Sequence, residues 1–194
     1  MKVMKFGGTS VGSPESLQQV KSIIINEEEP VIVVVSALDG VTDRLLLAAD
    51  FALNGNSGYK TLLDELIERH RTVIENLNFS EKDKNPLIEK TEQLFDELQN
   101  ILRGVFLIGD LSQKTSDKIV SYGERLSSLI LNRLIEGSQL YDSTKFIKTN
   151  RQFKNHIPDL SRSNELIRKT FSEMPPPRIA VVPGFISSSI DDDD

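Results

Sequence analysis

The sequence predicts one α/β domain, a three-layer αβα sandwich with a mainly parallel sheet. Three observations lead to this prediction. Val31–Val35 is an unbroken run of β-branched residues, typical of a strand buried on both faces of a parallel sheet. Lys2–Phe6 has a strand pattern that ends at two glycines and is followed by a helix signal. The elements follow in the order β, α, β, helices, β, α, β, which is the order of an open sheet with helices on both faces.

Residues 1–36 are predicted to form a strand, a helix and a second strand. The first strand stops at Gly7 and Gly8, and Ser13 then supplies a helix N-cap, with a proline in the first turn. The helix ends before Pro30, which cannot continue it. Its apolar face consists of Leu17, Val20 and Ile24. Such a unit has a right-handed crossover in nearly all known cases.

The middle of the chain is predicted to be helical. After a helix at 42–54 we expect a helical elaboration at about 58–110, whose Glu-rich helices at 62–77 and 86–107 we interpret as having solvated outer faces. A long helix at 116–136 ends at Gly137. The remaining predicted elements are strands at 145–147 and 178–182, a helix at 164–171 and a stiff proline linker at 175–177.

Composition excludes several classes of protein. The 194 residues are 38% hydrophobic and 27% charged, which is a globular balance, and no apolar run approaches the ~20 residues that cross a bilayer. The absence of cysteine excludes disulfides and thiolate zinc sites. A net charge of −6 without a basic stripe argues against nucleic acid as a partner. No signal peptide is visible, so we expect a cytoplasmic protein. The acidic run 191–194 fits an artificial boundary as well as a natural terminus.

Segment 5–12, with the sequence KFGGTSVG, is the strongest candidate for a ligand site. Glycine backbone lets an anion approach closely, and the amides after Gly7 and the helix that follows both favour negative charge. Neither a Walker A loop nor a dinucleotide-binding loop fits, because Ser13 and Thr9 stand where Lys and Gly are required. Lys5 precedes the glycines and could reach a transferring phosphoryl group. The alternative is an ordinary glycine turn beside a solvated lysine.

Four segments, in the same order along the chain, resemble the motifs of aspartokinases, within the amino acid kinase superfamily. They are KFGGTSV at 5–11, VSA at 35–37 with GVTDRL at 40–45, SYGERLS at 121–127 and VPGFI at 182–186. The resemblance covers essentially the whole chain and implies an amino acid kinase-like fold, of which 1–194 would be the N-terminal part of the catalytic domain.

The resemblance implies transfer of the γ-phosphoryl group of ATP to the side-chain carboxylate of L-aspartate. The product is 4-phospho-L-aspartate, in the first step of lysine, threonine and methionine biosynthesis. The implied phosphate-binding residues are Lys5, which is also the catalytic residue, Gly7, Gly8 and Ser10. The implied substrate-binding residues are Ser36, Thr42 and Glu124. Mg²⁺ would be bound by the nucleotide rather than by a dedicated protein site, and the full-length protein would be a homodimer.

Each of these residues also has a structural explanation. Ser121 and Glu124 have the spacing of a helix capping box, and Ser36 and Thr42 could be a turn residue and an N-cap. We interpret Arg125 as a structural ion-pair or packing residue. His70 and His156 have no partner at metal or triad spacing and are interpreted as surface or hydrogen-bonded histidines. Two functional rivals also remain: a sister kinase with a different acceptor, and a folded fragment without catalytic activity.

The sequence departs from the aspartokinase pattern at two places. Asp142 is followed by Ser and Thr where the family usually has Ala and Arg, although the segment 146–149 is similar to the variety fused to homoserine dehydrogenase. After Ile186 the family continues through a glycine-rich Arg and Asp motif to the strands that hold adenine and ribose. Here three serines, an isoleucine and four aspartates follow. We therefore expect the nucleotide half of the site to lie outside this chain.

Overall fold

The computed structural model describes residues 1–152, 155–172, 174 and 178–189. The helices are α1 Pro14–Ile25, α2 Val41–Leu53, α3 Tyr59–Asn76, α4 Glu81–Ile108, α5 Gln113–Leu134 and α6 Leu160–Phe171. The strands are β1 Lys2–Phe6, β2 Val31–Val35, β3 Gln139–Leu140, β4 Lys148–Gln152, β5 Asn155–Pro158, β6 Ile179–Pro183 and β7 Ser188–Ser189. The prolines at 175–177 and the acidic run 191–194 lie outside the described residues.

The main sheet has four parallel strands in the order β1-β2-β6-β3. The strand predicted to be buried on both faces is β2, and it pairs with β1 on one side and with β6 on the other. In this register Phe6 lies opposite Val35, and Val35 lies opposite Pro183. Three strands therefore end at the same level, and the loops that follow them meet at one edge of the sheet.

Helices cover both faces of this sheet, which confirms the three-layer prediction. Val31, Val33 and Val35 pack into the larger core with α1 to α5. Ile32 faces the opposite way, into a smaller core to which α6 contributes Phe171. This alternation is the period of two that places successive side chains of a strand on opposite faces. The sharpest agreement is in α1, where Ser13 is the N-cap and Leu17, Val20 and Ile24 are buried.

The predicted strand at 145–147 is wrong. Asp142 instead accepts a hydrogen bond from the backbone N–H of Thr144 and caps a 3-10 turn at Ser143–Lys145, and the strand begins only at Lys148. That strand belongs to a second, small sheet in the order β5-β4-β7. The sequence of β4, KTNRQ, has no apolar alternation, and this is why its pattern does not predict a strand.

The region predicted as a helical elaboration contains α3 and α4, and the helices in this part of the chain begin earlier than predicted. The fourth helix begins at Glu81 and contains Pro86, which had been expected at its start. The fifth begins at Gln113, because the side chain of Ser112 accepts a hydrogen bond from the N–H of Thr115. The part of the chain that the structure describes contains no helix long and apolar enough to cross a membrane.

Candidate active site at the strand ends

Two backbone hydrogen bonds hold the loops together where the strands of the main sheet end. The N–H of Ser36 donates to the carbonyl of Phe6 at 3.0 Å, and the N–H of Gly184 donates to the carbonyl of Val35 at 2.8 Å. We call residues 7–12 the glycine loop and residues 36–40 the second-strand loop. These bonds place the two loops and the turn at Gly184 side by side, at the sheet edge where α/β proteins bind ligands.

The glycine loop packs directly against the second-strand loop. A Cβ on Gly8 would lie 3.1 Å from the carbonyl oxygen of Ala37, and a Cβ on Gly12 would lie 3.0 Å from the Cβ of Asp39. Side chains at either position would push the loops apart, so the contact explains both glycines without a ligand. Gly7 has nothing within 4 Å of its Cβ position. The space around it is open.

Residues Gly8–Ser10 form a single 3-10 turn, in which the N–H of Ser10 donates to the carbonyl of Gly7 at 2.9 Å. From the sequence, the amides after Gly7 are expected to face an anion. The N–H of Ser10 is already used within the turn, so its hydroxyl is the group that remains for a ligand. The N–H groups of Gly8 and Thr9 precede the N–H that makes the first hydrogen bond of the turn. Like the first N–H groups of a helix, they have no partner within the turn.

Lys5 is exposed near the end of β1, at the edge of the sheet. Its neighbours Met4 and Phe6 pack against the larger core, so the side chain of Lys5 projects from the opposite face. It makes no ion pair with any residue that the structure describes. The ammonium is thus free to approach a ligand beside the glycine loop.

Helix α5 contacts the second-strand loop over one turn. A Cβ on Gly123 would lie 2.7 Å from the Cβ of Ala37, and the hydroxyl of Ser127 donates to the carbonyl of Ser36 at 2.7 Å. Between these two contacts lies Glu124, whose exposed fraction is 7%. Burial raises the pKa of the Glu124 carboxyl above its ordinary value, and hydrogen bonding from the backbone of Ala37 opposes that shift.

The structure rejects two of the purely structural explanations. Ser121 and Glu124 lie inside α5 and do not form a capping box, since Ser121 donates to the carbonyl of Lys118 and the N-cap is Ser112. Thr42 is not an N-cap either. Gly40 has that position, with φ of +70°, and Thr42 lies in the first turn of α2. Ser36 does lie in the loop after β2, as predicted.

The predicted substrate residues therefore fall on elements that touch. Ser36 and Glu124 are joined through Ser127 and Ala37, and Thr42 follows the second-strand loop at the start of α2. Ser127 ends the 121–127 motif and has no role among the predicted site residues. Its position three residues after Glu124, on the same helix face, is the signal that could have identified it.

The prediction for Arg125 agrees with the structure. Its guanidinium lies 4.4 Å from the centre of the Tyr122 ring and pairs with Glu97 at 3.4 Å. The hydroxyl of Tyr122 also donates to Glu97 at 2.9 Å. These contacts fasten α5 to α4 and hold the helix that carries Glu124.

His70 differs from the prediction, because it is neither on the surface nor fully hydrogen-bonded. It is completely buried, with Nδ1 2.7 Å from the carbonyl oxygen of Leu66, and its ring packs edge-on against Phe95. Nε2 has no hydrogen-bond partner among the described residues. Burial lowers the pKa of His70 to about 4. The side chain of His156 lies outside the described residues.

A cavity of about 320 Å³ lies away from the strand ends, between the start of α3 and the end of α4. It is lined by Tyr59, Lys60, Gln99, Arg103, Phe106 and Leu107. None of these residues belongs to the loops at the sheet edge, so we place the candidate site at the loops. Within the described ranges, no three His, Asp or Glu side chains converge as a metal-binding group.

Known proteins resemble the chain in sequence and in fold. It is 30% identical to the bifunctional aspartokinase/homoserine dehydrogenase 2 of Arabidopsis thaliana, over 96% of this chain and 21% of that protein. It is 36% identical to the aspartokinase of Candida albicans, over 69% of this chain and 26% of that protein. Escherichia coli aspartokinase III in complex with aspartate and ADP superposes with a TM-score of 0.84 at 26% identity, over 98% of this chain and 42% of that one.

The chain therefore spans about a fifth to a quarter of the length of these two relatives. The model of the amino acid kinase family matches residues 1–193, which is nearly the whole sequence. With the parallel sheet, the glycine loop at its edge and the contact between α5 and the second-strand loop, this match establishes that the chain belongs to the amino acid kinase family.

Proposed function

We propose that the full-length protein is an aspartate kinase, which transfers the γ-phosphoryl group of ATP to the side-chain carboxylate of L-aspartate. The observation that supports this most directly is the position of Ala37. Its carbonyl oxygen faces Gly8 of the glycine loop, and its methyl group faces Gly123 beside Glu124. A phosphate-binding loop and a buried carboxylate are therefore separated by the width of one residue.

In the proposed reaction, one oxygen of the substrate carboxylate forms a bond to the γ-phosphorus while the bond from that phosphorus to the β,γ-bridging oxygen breaks. ADP leaves with the electron pair of the broken bond. Because the carboxylate is already ionised, no general base and no covalent enzyme intermediate are needed. The protein contributes alignment and charge stabilisation, as in other phosphoryl transfers.

The proposed roles follow the geometry. Lys5 neutralises charge on the γ-phosphoryl group, while Gly7, Gly8 and Ser10 form its cradle. Glu124 accepts hydrogen bonds from the substrate ammonium, which offsets the cost of keeping its carboxylate ionised in a buried place. The hydroxyls of Ser36 and Thr42 hold a substrate carboxylate.

We propose that Mg²⁺ arrives on the phosphates of ATP. The described residues offer no ready-made ligand group for it, and a magnesium ion commonly keeps several waters and binds through substrate phosphates. We further propose that the full-length protein is a cytoplasmic homodimer. The Arabidopsis relative carries the word chloroplastic in its name, so a plastid location is the alternative to test.

The test is an acceptor screen with the full-length protein, in which ADP release is measured with L-aspartate, L-glutamate, carbamate and N-acetyl-L-glutamate. We expect release that depends on aspartate, together with formation of an acyl phosphate that hydroxylamine traps as a hydroxamate. Turnover with a different acceptor and none with aspartate would identify a sister kinase instead. The same assay on the 194-residue chain alone asks whether these residues suffice for turnover.

A further inference from the structure

The cavity between the start of α3 and the end of α4 has two aromatic side chains in its wall. Tyr59 and Phe106 both line it, with ring centres 5.4 Å apart and ring planes tilted by 46°. Leu107 also lines it and is 70% exposed, so much of this leucine lies open to water. A flat apolar group in the cavity would cover part of that surface and contact the aromatic wall, and both effects favour binding.

The charged part of the wall is positive. Among the described residues that line the cavity, Lys60 and Arg103 carry charge, and both are exposed. Neither makes an ion pair with a residue that the structure describes. Asp64, one turn after Lys60 on α3, does not line the cavity. The cavity therefore presents two cations without a carboxylate partner beside its apolar wall, and this combination favours an anion.

The helix that begins at the cavity adds to the positive potential. Tyr59 and Lys60 are the first two residues of α3, and the N–H groups at a helix N-terminus carry a partial positive charge. The first turn of α3 contains no acidic residue, and no side chain caps it. Lys60 instead places a full positive charge where a helix start favours a negative one. An anion bound in the cavity would offset both charges.

The hydroxyl of Tyr59 is a polar group without a partner in the described part of the chain. Tyr59 is only 2% exposed, and its hydroxyl makes no hydrogen bond with a described residue. The hydroxyl is also not among the described polar atoms that are both closed to solvent and unpartnered. It therefore remains open to a ligand in the cavity that Tyr59 lines. Buried tyrosine hydroxyls usually have a hydrogen-bond partner, and a bound ligand would supply one here.

We propose that this cavity is a second ligand site, which binds a small aromatic anion, that is, a ring with one carboxylate or phosphate group. The ring packs against Phe106 and Leu107, the anionic group binds Lys60 and Arg103, and the hydroxyl of Tyr59 donates to an oxygen of the ligand. The volume of about 320 Å³ lies at the lower end of the range of small-molecule sites, so it suits a ligand of one or two rings.

The test is a titration of the full-length protein with 4-fluorobenzoate and with 4-fluorophenyl phosphate, followed by fluorine NMR. We expect a Kd of about 1 mM or lower for at least one probe, and the probe that binds more tightly identifies the anionic group. Arg103→Gln should raise that Kd about 10-fold, because a charge-assisted hydrogen bond is lost. Lys90→Gln removes a charge from an exposed position of α4 outside the cavity and should leave the Kd unchanged.

A second variant and a neutral probe separate a built site from attraction to surface charge. Tyr59→Phe keeps the ring and removes only the hydroxyl, so it should raise the Kd about 5-fold with little change in Tm. The neutral 4-fluorobenzamide should bind the wild-type protein more weakly than the anions do, and equally to wild type and Arg103→Gln. A wild-type protein that binds neither anion overturns the proposal. Binding that Arg103→Gln and Tyr59→Phe both leave unchanged overturns it as well.

This second site is independent of the proposed function, since no residue of the loops at the sheet edge lines the cavity. Arg103→Gln and Tyr59→Phe should therefore leave kcat and the KM for aspartate unchanged when no probe is present. A protein that phosphorylates aspartate but binds neither anion rejects the second site alone. A protein that binds an anion through Arg103 and Tyr59 but does not phosphorylate aspartate supports the second site and rejects the proposed function.

Discussion

The hydroxyl of Ser127 donates a 2.7 Å hydrogen bond to the backbone carbonyl of Ser36, across 91 positions of the sequence. It also lies 3.2 Å from the carbonyl of Glu124. One buried hydroxyl thus connects the second-strand loop to the helix turn that carries the buried carboxylate. The relative position of Ser36 and Glu124 depends on this bond and on the contact of Gly123 with Ala37.

Replacing Ser127 with Ala should cost about 1 kcal/mol of stability, because a buried carbonyl loses its donor. The KM for aspartate should rise as well, since Ser36 and Glu124 lose their connection. Urea denaturation and steady-state kinetics measure the two effects. Ser128→Ala is the matched control, because that neighbouring hydroxyl bonds only within its own helix, to the carbonyl of Arg125. An equal rise in KM for both variants would contradict the role of Ser127.

Replacing Gly123 with Ala should destabilise the protein by about 1–3 kcal/mol, as overpacking does in other cores. The new methyl group would lie 2.7 Å from the Cβ of Ala37, so α5 and the second-strand loop would have to separate. The midpoint of urea denaturation measures the change. Gly104→Ala is the control within α4, where nothing lies within 4 Å, and it should raise stability by up to about 1 kcal/mol. A stability loss at position 104 and none at 123 would contradict the packing described.

Replacing Glu124 with Gln should stabilise the protein at neutral pH while weakening aspartate binding. Burial raises the folded-state pKa of this carboxyl above the ordinary 4.5, so ionisation makes the folded state lose stability as the pH rises from that value. Glutamine has no charge to desolvate. The Tm of Glu124→Gln should therefore exceed that of the wild type at pH 7, and the difference should shrink below pH 4.5. A variant that is less stable at pH 7 would contradict this account.

His70 should make the protein less stable in mild acid. Its pKa falls from the ordinary 6.5 to about 4 on folding, so its contribution to stability is complete above pH 6.5, declines as the pH falls, and is fully lost below pH 4. The total loss is about 3 kcal/mol. Urea denaturation between pH 7 and pH 5 measures the slope before most carboxylates titrate. His70→Leu should flatten that slope, and an unchanged slope would show that another group is responsible.

Replacing Lys5 with Ala should lower kcat for aspartate phosphorylation by at least about 100-fold in the full-length protein. The substitution removes the positive charge that is proposed to neutralise the transferring phosphoryl group. Tm should change little, because the side chain is exposed and makes no ion pair with a described residue. Lys90→Ala, at an exposed position of α4, is the control and should leave kcat unchanged. Near-normal turnover of Lys5→Ala would remove Lys5 from the mechanism.

The elements with strong local signals were predicted within a residue or two. Ser13 and the proline after it define the start of α1, and Val31–Val35 has the composition of a central strand. The strands β4 and β5 were not found, because their short sequences, KTNRQ and NHIP, show no apolar alternation. Local patterns predict elements that carry a capping signal or a periodic run of apolar residues, and the sequence of this hairpin has neither.

The sequence proposes a set of candidate site residues but not their arrangement. The resemblance selected Ser36, Thr42 and Glu124, but nothing in their spacing shows that Ala37 lies between Gly8 and Gly123. That contact joins distant parts of the chain and exists only after the sheet and α5 have packed.

The position of β6 has a consequence for synthesis. The strand Val31–Val35 gains its first neighbour from β1, which precedes it, but its other edge is covered only by Ile179–Pro183. During translation, the most β-branched strand of the domain thus has an open edge while all the residues of α2 to α6 are being added. Such an edge is a template for pairing with other chains. This edge can be covered only after almost the whole of this chain has left the ribosome.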